Sequence, residues 1–273
     1  MNSSDESIDT STLKNSIYFW AGRLLFARRR LDTAFHAHHA AAVIMAFDDP
    51  FVIETEDKRI GPLFSAIISP DTYHKSIAPN SDMIVLLIDP ESGEYESFVS
   101  TGQSGTVHEL DKSIFIQLKK ELLRLFDGVS CQKAWEISQE ILAIINKRFS
   151  EKTQLKYDTR VQKIIEKLRI ELPERICIRE LEKEVCISGD RLMRLFKEHT
   201  GLPLRRYLLW SRLLRSSSLL KQGYSLTDAA HESGFSDAAH MSRTFKKNFG
   251  FTPSFFFSKN EAVDFHFCNK PRV

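Results

Sequence analysis

IRELEKEVCISGDRLMRLFKEHTG, from Ile178 to Gly201, and LTDAAHESGFSDAAHMSRTFKKNFG, from Leu226 to Gly250, are one pattern written twice. Each copy opens on a short amphipathic segment and passes a tight turn and a serine, Ser188 or Ser236. Each then closes on a second amphipathic segment that ends in Arg-x-Phe-Lys and glycine. The reading is helix, turn, helix in both copies, over 178–199 and 226–249. In a motif of this order the first helix crosses a phosphate backbone and the second enters a major groove.

In the first unit Leu181, Val185, Ile187, Leu192, Leu195 and Phe196 are the positions needed inside. Gly189, Asp190, Met193, Arg194 and Lys197 recur at three and four residues and so share the opposite face. In the second unit Phe235, Met241, Phe245 and Phe249 fill the core, leaving Ala238, Ala239, Ser242, Arg243 and Lys246 outside. Ser188 and Ser236 are expected to cap the second helices. Arg194 and Arg243 suit bidentate pairing with guanine, at ~1–3 kcal/mol of discrimination each. Asp190 and Ser242 share the base-facing positions, and Met193, Ala238 and Ala239 offer only apolar contact to thymine methyls or shape. Arg191, Lys197, Arg205, Arg206, Lys246 and Lys247 suit phosphates, which position without specifying. Between the units, Leu204, Tyr207, Leu208, Trp210, Leu213, Leu214, Leu219 and Leu220 keep helical spacing up to Gly223, a stop. One continuous helix there sets the distance between the recognition helices, which must be ~34 Å for successive major grooves on one face of a duplex.

The chain of 273 residues, 42 % hydrophobic and 27 % charged with net charge +2, has room for two cores. Basic residues outnumber acidic ones over 158–258, and acidic outnumber basic over 1–157, so only the back of the chain favours a polyanion. Cys131, Cys177, Cys186 and Cys268 form no CxxC or metal-finger spacing, which predicts unpaired thiols in a reducing compartment. The polar start and the lack of an apolar run of ~18 residues point to a soluble, cytoplasmic protein away from membranes.

Residues 1–16 read as a flexible tail. Over 17–110 the texture is short apolar runs, IYFWAGRLLFA, AAVIMAF, FVIETE, PLFSAII, DMIVLLID and ESFVS, separated by turn-prone DDP, SPD, APNSD and PESG. Such spacing predicts a β sandwich or barrel. Two amphipathic stretches, Asp111–Phe126 and Cys131–Phe149, predict an antiparallel helix pair over 111–149 that covers the barrel or meets a second subunit. A polar linker over 150–158 precedes a helical region over 159–258, whose first helix runs from Thr159 until Pro173 stops it, and 259–273 is a tail without a pattern. The fold class is α+β, with a β-rich front and an all-α back carrying a double helix-turn-helix.

Over about residues 158–258 the chain resembles the AraC/XylS transcription regulators. The residues that carry the resemblance are GFSDAAHMSRTFKKNFGFTP from Gly234 to Pro253, SGDRLMRLFKEHTG and Arg212. The resemblance implies seven helices in two helix-turn-helix units on adjacent major-groove segments of double-stranded DNA. It also implies activation of transcription through RNA polymerase, in a bacterial cytoplasm. Glu182 stands where that family has a small residue, and Cys186 replaces the usual Gly or Asn of the turn. The front region, through FHAHH at Phe35–His39 and SPDTYHKS at Ser69–Ser76, resembles the cupin-like barrel that such regulators use to bind an effector and to form homodimers. In metal-binding cupins His36, His38 and His74 would converge on one ion. The carboxylate that usually follows is replaced by Ala40, Ala41 and Ala42, so the expectation is a ligand pocket with no metal and no cofactor, and no catalytic residue is assigned. A metal-dependent cupin enzyme and an effector-independent dimeric regulator are the alternatives.

Overall fold

The computed structural model describes residues 15–20, 22–90, 92, 106–149, 158–173, 175–200, 202–250, 252–254 and 263–268. The expected strand ESFVS, Glu91 and Gly93 of the PESG turn, most of the 150–158 linker and nearly all of the 1–16 tail lie outside them. Among the described residues the front is a nine-stranded sheet: β1 (Asn15–Trp20), β2 (Arg23–Asp32), β3 (Ala41–Ala46), β4 (Phe51–Thr55), β5 (Arg59–Leu63), β6 (Ser65–Ile68), β7 (His74–Ile88), β8 (Val107–Glu109) and β9 (Val263–Phe267). Strand order is β8-β6-β3-β7-β2-β1-β9, with β4 bridging β5 and β7.

Alternation of side chains along the strands divides the front into two apolar cores. Ala42, Ile44, Val85 and Leu87 face one core, and their neighbours Val43, Met45, Leu86 and Ile88 face the other. The second core is closed by α1 (Lys119–Leu123) and α2 (Cys131–Phe149), through Leu122, Ile137, Ile141 and Ile145, with Leu125 added by the turn after α1. The first core runs on without interruption into the back of the chain, to Leu213, Phe235, Met241 and Phe245.

The back region is helical: α3 (Thr159–Glu171), α4 (Ile178–Val185), α5 (Gly189–Thr200), α6 (Leu204–Lys221), α7 (Leu226–Glu232) and α8 (Ala238–Phe249). Asp158 caps α3 by accepting from the Arg160 N–H, and Leu172, in the left-handed region at φ 41°, ends it ahead of Pro173. α6 is continuous up to Gln222, and Gly223 turns the chain at φ +91°. A separate core of Val161, Ile164, Leu168, Leu181, Leu192 and Phe196 joins α3 to the first unit.

Several expectations are corrected. Asp111–Phe126 is not one helix: 3-10 turns at Ile116–Leu118 and Arg124–Asp127 flank the short α1. The Asp111 carboxylate accepts from the Ser113 N–H, an Asx turn that competes with helix initiation. IYFWAGRLLFA is a hairpin, β1 to β2, turning at Gly22 with φ +83°. APNSD is no turn but a bulged bend inside β7, where pairing with β2 shifts register between Arg29 and Leu31.

The cysteine expectation also fails. Cys131 and Cys268 form a disulfide with Cα atoms 5.6 Å apart, while Cys177 and Cys186 are free and exposed. The expected tail supplies β9, which lies parallel to β1 from Asn15↔Val263 to Phe19↔Phe267 and so brings Cys268 beside the start of α2. Among the described residues no helix is long and apolar enough to cross a membrane.

Candidate nucleic-acid interface and the histidine pocket beside it

In the first unit Leu181, Val185, Leu192 and Phe196 are buried, with Ile187 and Leu195 packed against them. Cys186 occupies the turn in the left-handed region, φ 54° and ψ 39°, a conformation costing ~1–2 kcal/mol for a side-chain-bearing residue. Glu182 supplies a contact that a small residue lacks: its carboxylate accepts the backbone N–H of Gly189 at the start of α5. Gly189 is buried rather than outward, because a Cβ there would collide with Ile178 Cγ2 and lie 2.9 Å from Glu182 Oε1. Ser188 takes the cap position, its carbonyl accepting from the Leu192 N–H at 2.8 Å.

In the second unit Ser225 caps α7 by accepting from the Asp228 N–H. The cap of α8 is Asp237 and not Ser236: Asp237 accepts from the His240 N–H, and the Ser236 hydroxyl donates to the Asp237 carboxylate at 3.0 Å. Those donors, the backbone one first, hold the Asp237 carboxyl below its ordinary pKa. A carboxylate fits the site better than a hydroxyl, since it can accept both donors at the positive end of a helix. Arg212, buried in α6, donates to the Pro173 carbonyl at 2.6 Å and so ties α6 to the start of the first unit.

Of the expected base-facing residues, Asp190, Met193, Arg194, Ala239 and Arg243 are exposed, and Ala238 and Ser242 are half-buried. Arg194 lies 3.7 Å from Glu198 in a solvent-exposed pair, which is worth ~0–1 kcal/mol and leaves the guanidinium available. Arg191, Lys197, Arg205, Lys246 and Lys247 are exposed on the helical region. Arg206 points to the front domain, 3.8 Å from Asp71.

The histidines expected to line a pocket do meet. His36, His38 and His74 are all buried, and one nitrogen of each lies within 4.8 Å of the others. His36 and His38 do not share a strand, as alternation suggested. They sit on the β2–β3 connection, where only His36 forms a bridge, with His74 at the start of β7. Their cavity measures about 40 Å³ and is closed by Phe26, Leu31, Val85 and Phe249 among others. Burial drives all three imidazoles toward the neutral form: His36 lies well below its ordinary pKa, His38 falls to about 3 and His74 to about 4.

The sequence did not show that the end of α8 rests on this pocket. The Ala34 N–H donates to the Gly250 carbonyl at 3.3 Å and the Ala37 N–H to the Lys247 carbonyl at 3.1 Å. Gly250, the left-handed cap at φ +77°, approaches so closely that a Cβ would lie 2.8 Å from Thr33 Cβ and 3.1 Å from His36 Nδ1. Arg169 meets Asp89 at 3.6 Å, a further link between the helical region and the β-rich front. Gly250 was legible as a helix stop, but no local signal marks the loop that presses on it.

A family described as a helix-turn-helix domain matches residues 181–259. The HTH-type transcriptional activator RhaS of Salmonella arizonae and that of Salmonella newport are each 31 % identical over 97 residues. The match takes in 35 % of this chain and 35 % of each relative, so it spans about a third of their length. In overall fold the chain is similar to ToxT from Vibrio cholerae, with a TM-score of 0.56 and 12 % identity over 86 % of this chain and 97 % of that one. A fatty-acid-bound form of wild-type ToxT aligns with a TM-score of 0.55 at 14 % identity over 86 % of this chain and 94 % of that one. Residues 181–259 therefore match the helix-turn-helix domain family, behind a β-rich front, in a chain that shares the overall fold of ToxT.

Proposed function

We propose that the chain is a sequence-specific DNA-binding transcription regulator, an activator, whose α5 and α8 enter adjacent major-groove segments. The observation that carries this reading is the pair of matched recognition faces, with Arg194 on α5 and Arg243 on α8 both exposed and both units built on the single helix α6. Arg191, Lys197, Arg205, Lys246 and Lys247 supply the phosphate contacts, and Arg206 joins them when it leaves Asp71. Relatives that share the helix-turn-helix region are named activators, which supports activation, and an activator of this kind works through contact with RNA polymerase. The protein acts in a bacterial cytoplasm as a homodimer, and the front domain modulates it rather than catalysing a reaction.

Binding of the full chain to a labelled duplex carrying its site, followed by fluorescence anisotropy, tests this reading. Arg194→Ala and Arg243→Ala are expected to weaken the specific complex about tenfold or more and to leave binding to unrelated duplex little changed. Equal losses on both duplexes would overturn base reading by these arginines.

A further inference from the structure

The histidine cluster is more than a polar lining. In each ring Nδ1 is engaged by a backbone carbonyl: His36 by Ala34 at 3.0 Å, His74 by Thr72 at 2.9 Å and His38 by Ala40. A carbonyl only accepts, so each Nδ1 carries the hydrogen and each Nε2 keeps a lone pair. Fixing a histidine tautomer through a carbonyl is the usual preparation of an imidazole for metal ligation. Ring centroids are 5.6 Å apart for His36 and His38, 4.3 Å for His36 and His74, and 5.4 Å for His38 and His74. Three rings that ligate one tetrahedral ion at ~2.1 Å have centroids about 5 Å apart. One nitrogen of each ring lies within 4.8 Å of the others, against roughly 3.4 Å between the nitrogens of a tetrahedral site.

Cavity size separates the candidate ligands. Pockets for organic effectors measure ~300–1,000 Å³, whereas this one is about 40 Å³. It has room for an ion and one or two waters. Three neutral imidazoles with water in the fourth position complete a zinc-type coordination sphere without a carboxylate, and imidazole donors suit zinc, copper, iron and nickel. The missing carboxylate at Ala40–Ala42, which pointed away from a metal in the sequence, is therefore no obstacle.

The position of the site gives an ion something to control. His36 lies between Ala34 and Ala37, whose amides hold the end of α8, and Phe249 of α8 closes the cavity. We infer that His36, His38 and His74 bind one divalent first-row transition-metal ion, and that ligation of His36 locks the end of the second recognition helix onto the barrel. The coupling to DNA recognition rests on the regulator reading proposed above. The ion site itself does not.

Untagged full-length protein is stripped with a chelator, dialysed against Zn²⁺ or Co²⁺ and assayed for metal by mass spectrometry, with hydrogen exchange read at the Ala34 and Ala37 amides. The expected result is one ion per chain, a tetrahedral Co²⁺ absorption spectrum and slower exchange at both amides. His36→Gln and His74→Gln should each weaken affinity by more than about 100-fold, while His108→Gln on β8 retains the ion. Circular dichroism identifies which variants are folded, and the spectrum of the unmutated protein tests the donor set even where a variant misfolds. Folded wild-type protein without a stoichiometric ion, or an ion retained in both triad variants, overturns the site. An ion bound with unchanged amide exchange overturns the lock. Duplex binding is measured separately, so a protein that holds the ion and ignores DNA counts against the regulator reading alone.

Discussion

Arg243 and Lys247 stand four residues apart on α8, both exposed, yet their chemistry assigns them different work. Arg243→Ala should relax specificity at one base position, whereas Lys247→Ala should weaken binding to every duplex and flatten the salt dependence by about one unit of slope. Titrations against cognate and unrelated duplexes across salt concentrations check both. The histidines make a second residue-level prediction, for metal-free protein. His38 and His74, near 3 and 4 in the folded chain, rise toward ~6.5 on unfolding. Between those values the unfolded chain binds more protons, so stability is full above pH ~6.5 and is lost as pH falls toward 4. For His74 alone the loss is on the order of 3 kcal/mol. Melting across that range should show it, and His74→Gln should make the slope shallower. At this scale the sequence was informative wherever chemistry is local: it picked out the three histidines and both exposed arginines, and it marked Cys186 as a strained turn residue. It could not show that the Glu182 carboxylate reaches the Gly189 amide, or that Asp237 rather than Ser236 caps α8, since both depend on backbone placement.

Among the elements, α8 has two tasks on one helix. Its first turns present Ala239 and Arg243, while its last turn, Phe249 and Gly250 lie against the barrel. Gly250→Ala tests the second task. The new Cβ must push aside Thr33 and hold a left-handed backbone, at ~1–2 kcal/mol for the backbone alone. Lower melting temperature and faster exchange at the Ala34 and Ala37 amides are the expected outcomes, with the α5 amides unchanged. Unaltered exchange would mean that the close approach does not hold the helix. Periodicity located α2 and α3 because each buries one continuous stripe, and α6 was legible from its unbroken apolar run up to Gly223, although it is buried on several faces between two cores. It failed over Asp111–Phe126, where Leu118, Leu122 and Leu125 are buried at helical spacing although the backbone changes type twice. A buried stripe reports which residues face the core, not which hydrogen bonds connect them.

Across the whole molecule the barrel and the second unit share one apolar core, while the first unit has its own with α3. The last strand completes this arrangement. Phe265 of β9 lies in a small apolar pocket with Phe19, Phe245 and Phe249, and the Cys131–Cys268 disulfide fastens the end of that strand across a separation of 137 residues. Cys268→Ser should cost ~2–5 kcal/mol, visible as a lower melting temperature that dithiothreitol no longer shifts. An unchanged melting temperature would show that β9 is held by its strand pairing and aromatic packing alone. Nothing in the sequence signalled this return, because pairing between Asn15–Phe19 and Val263–Phe267 is the most distant among the described residues and its short strand carries only five residues. The double helix-turn-helix was legible because its pattern is repeated within 178–250. Selection of duplexes from a random pool by the full-length protein decides whether α5 and α8 together read sequence. Two short conserved blocks about one helical turn, ~34 Å, apart are the predicted result. Recovery of bulk sequence by folded protein would contradict it.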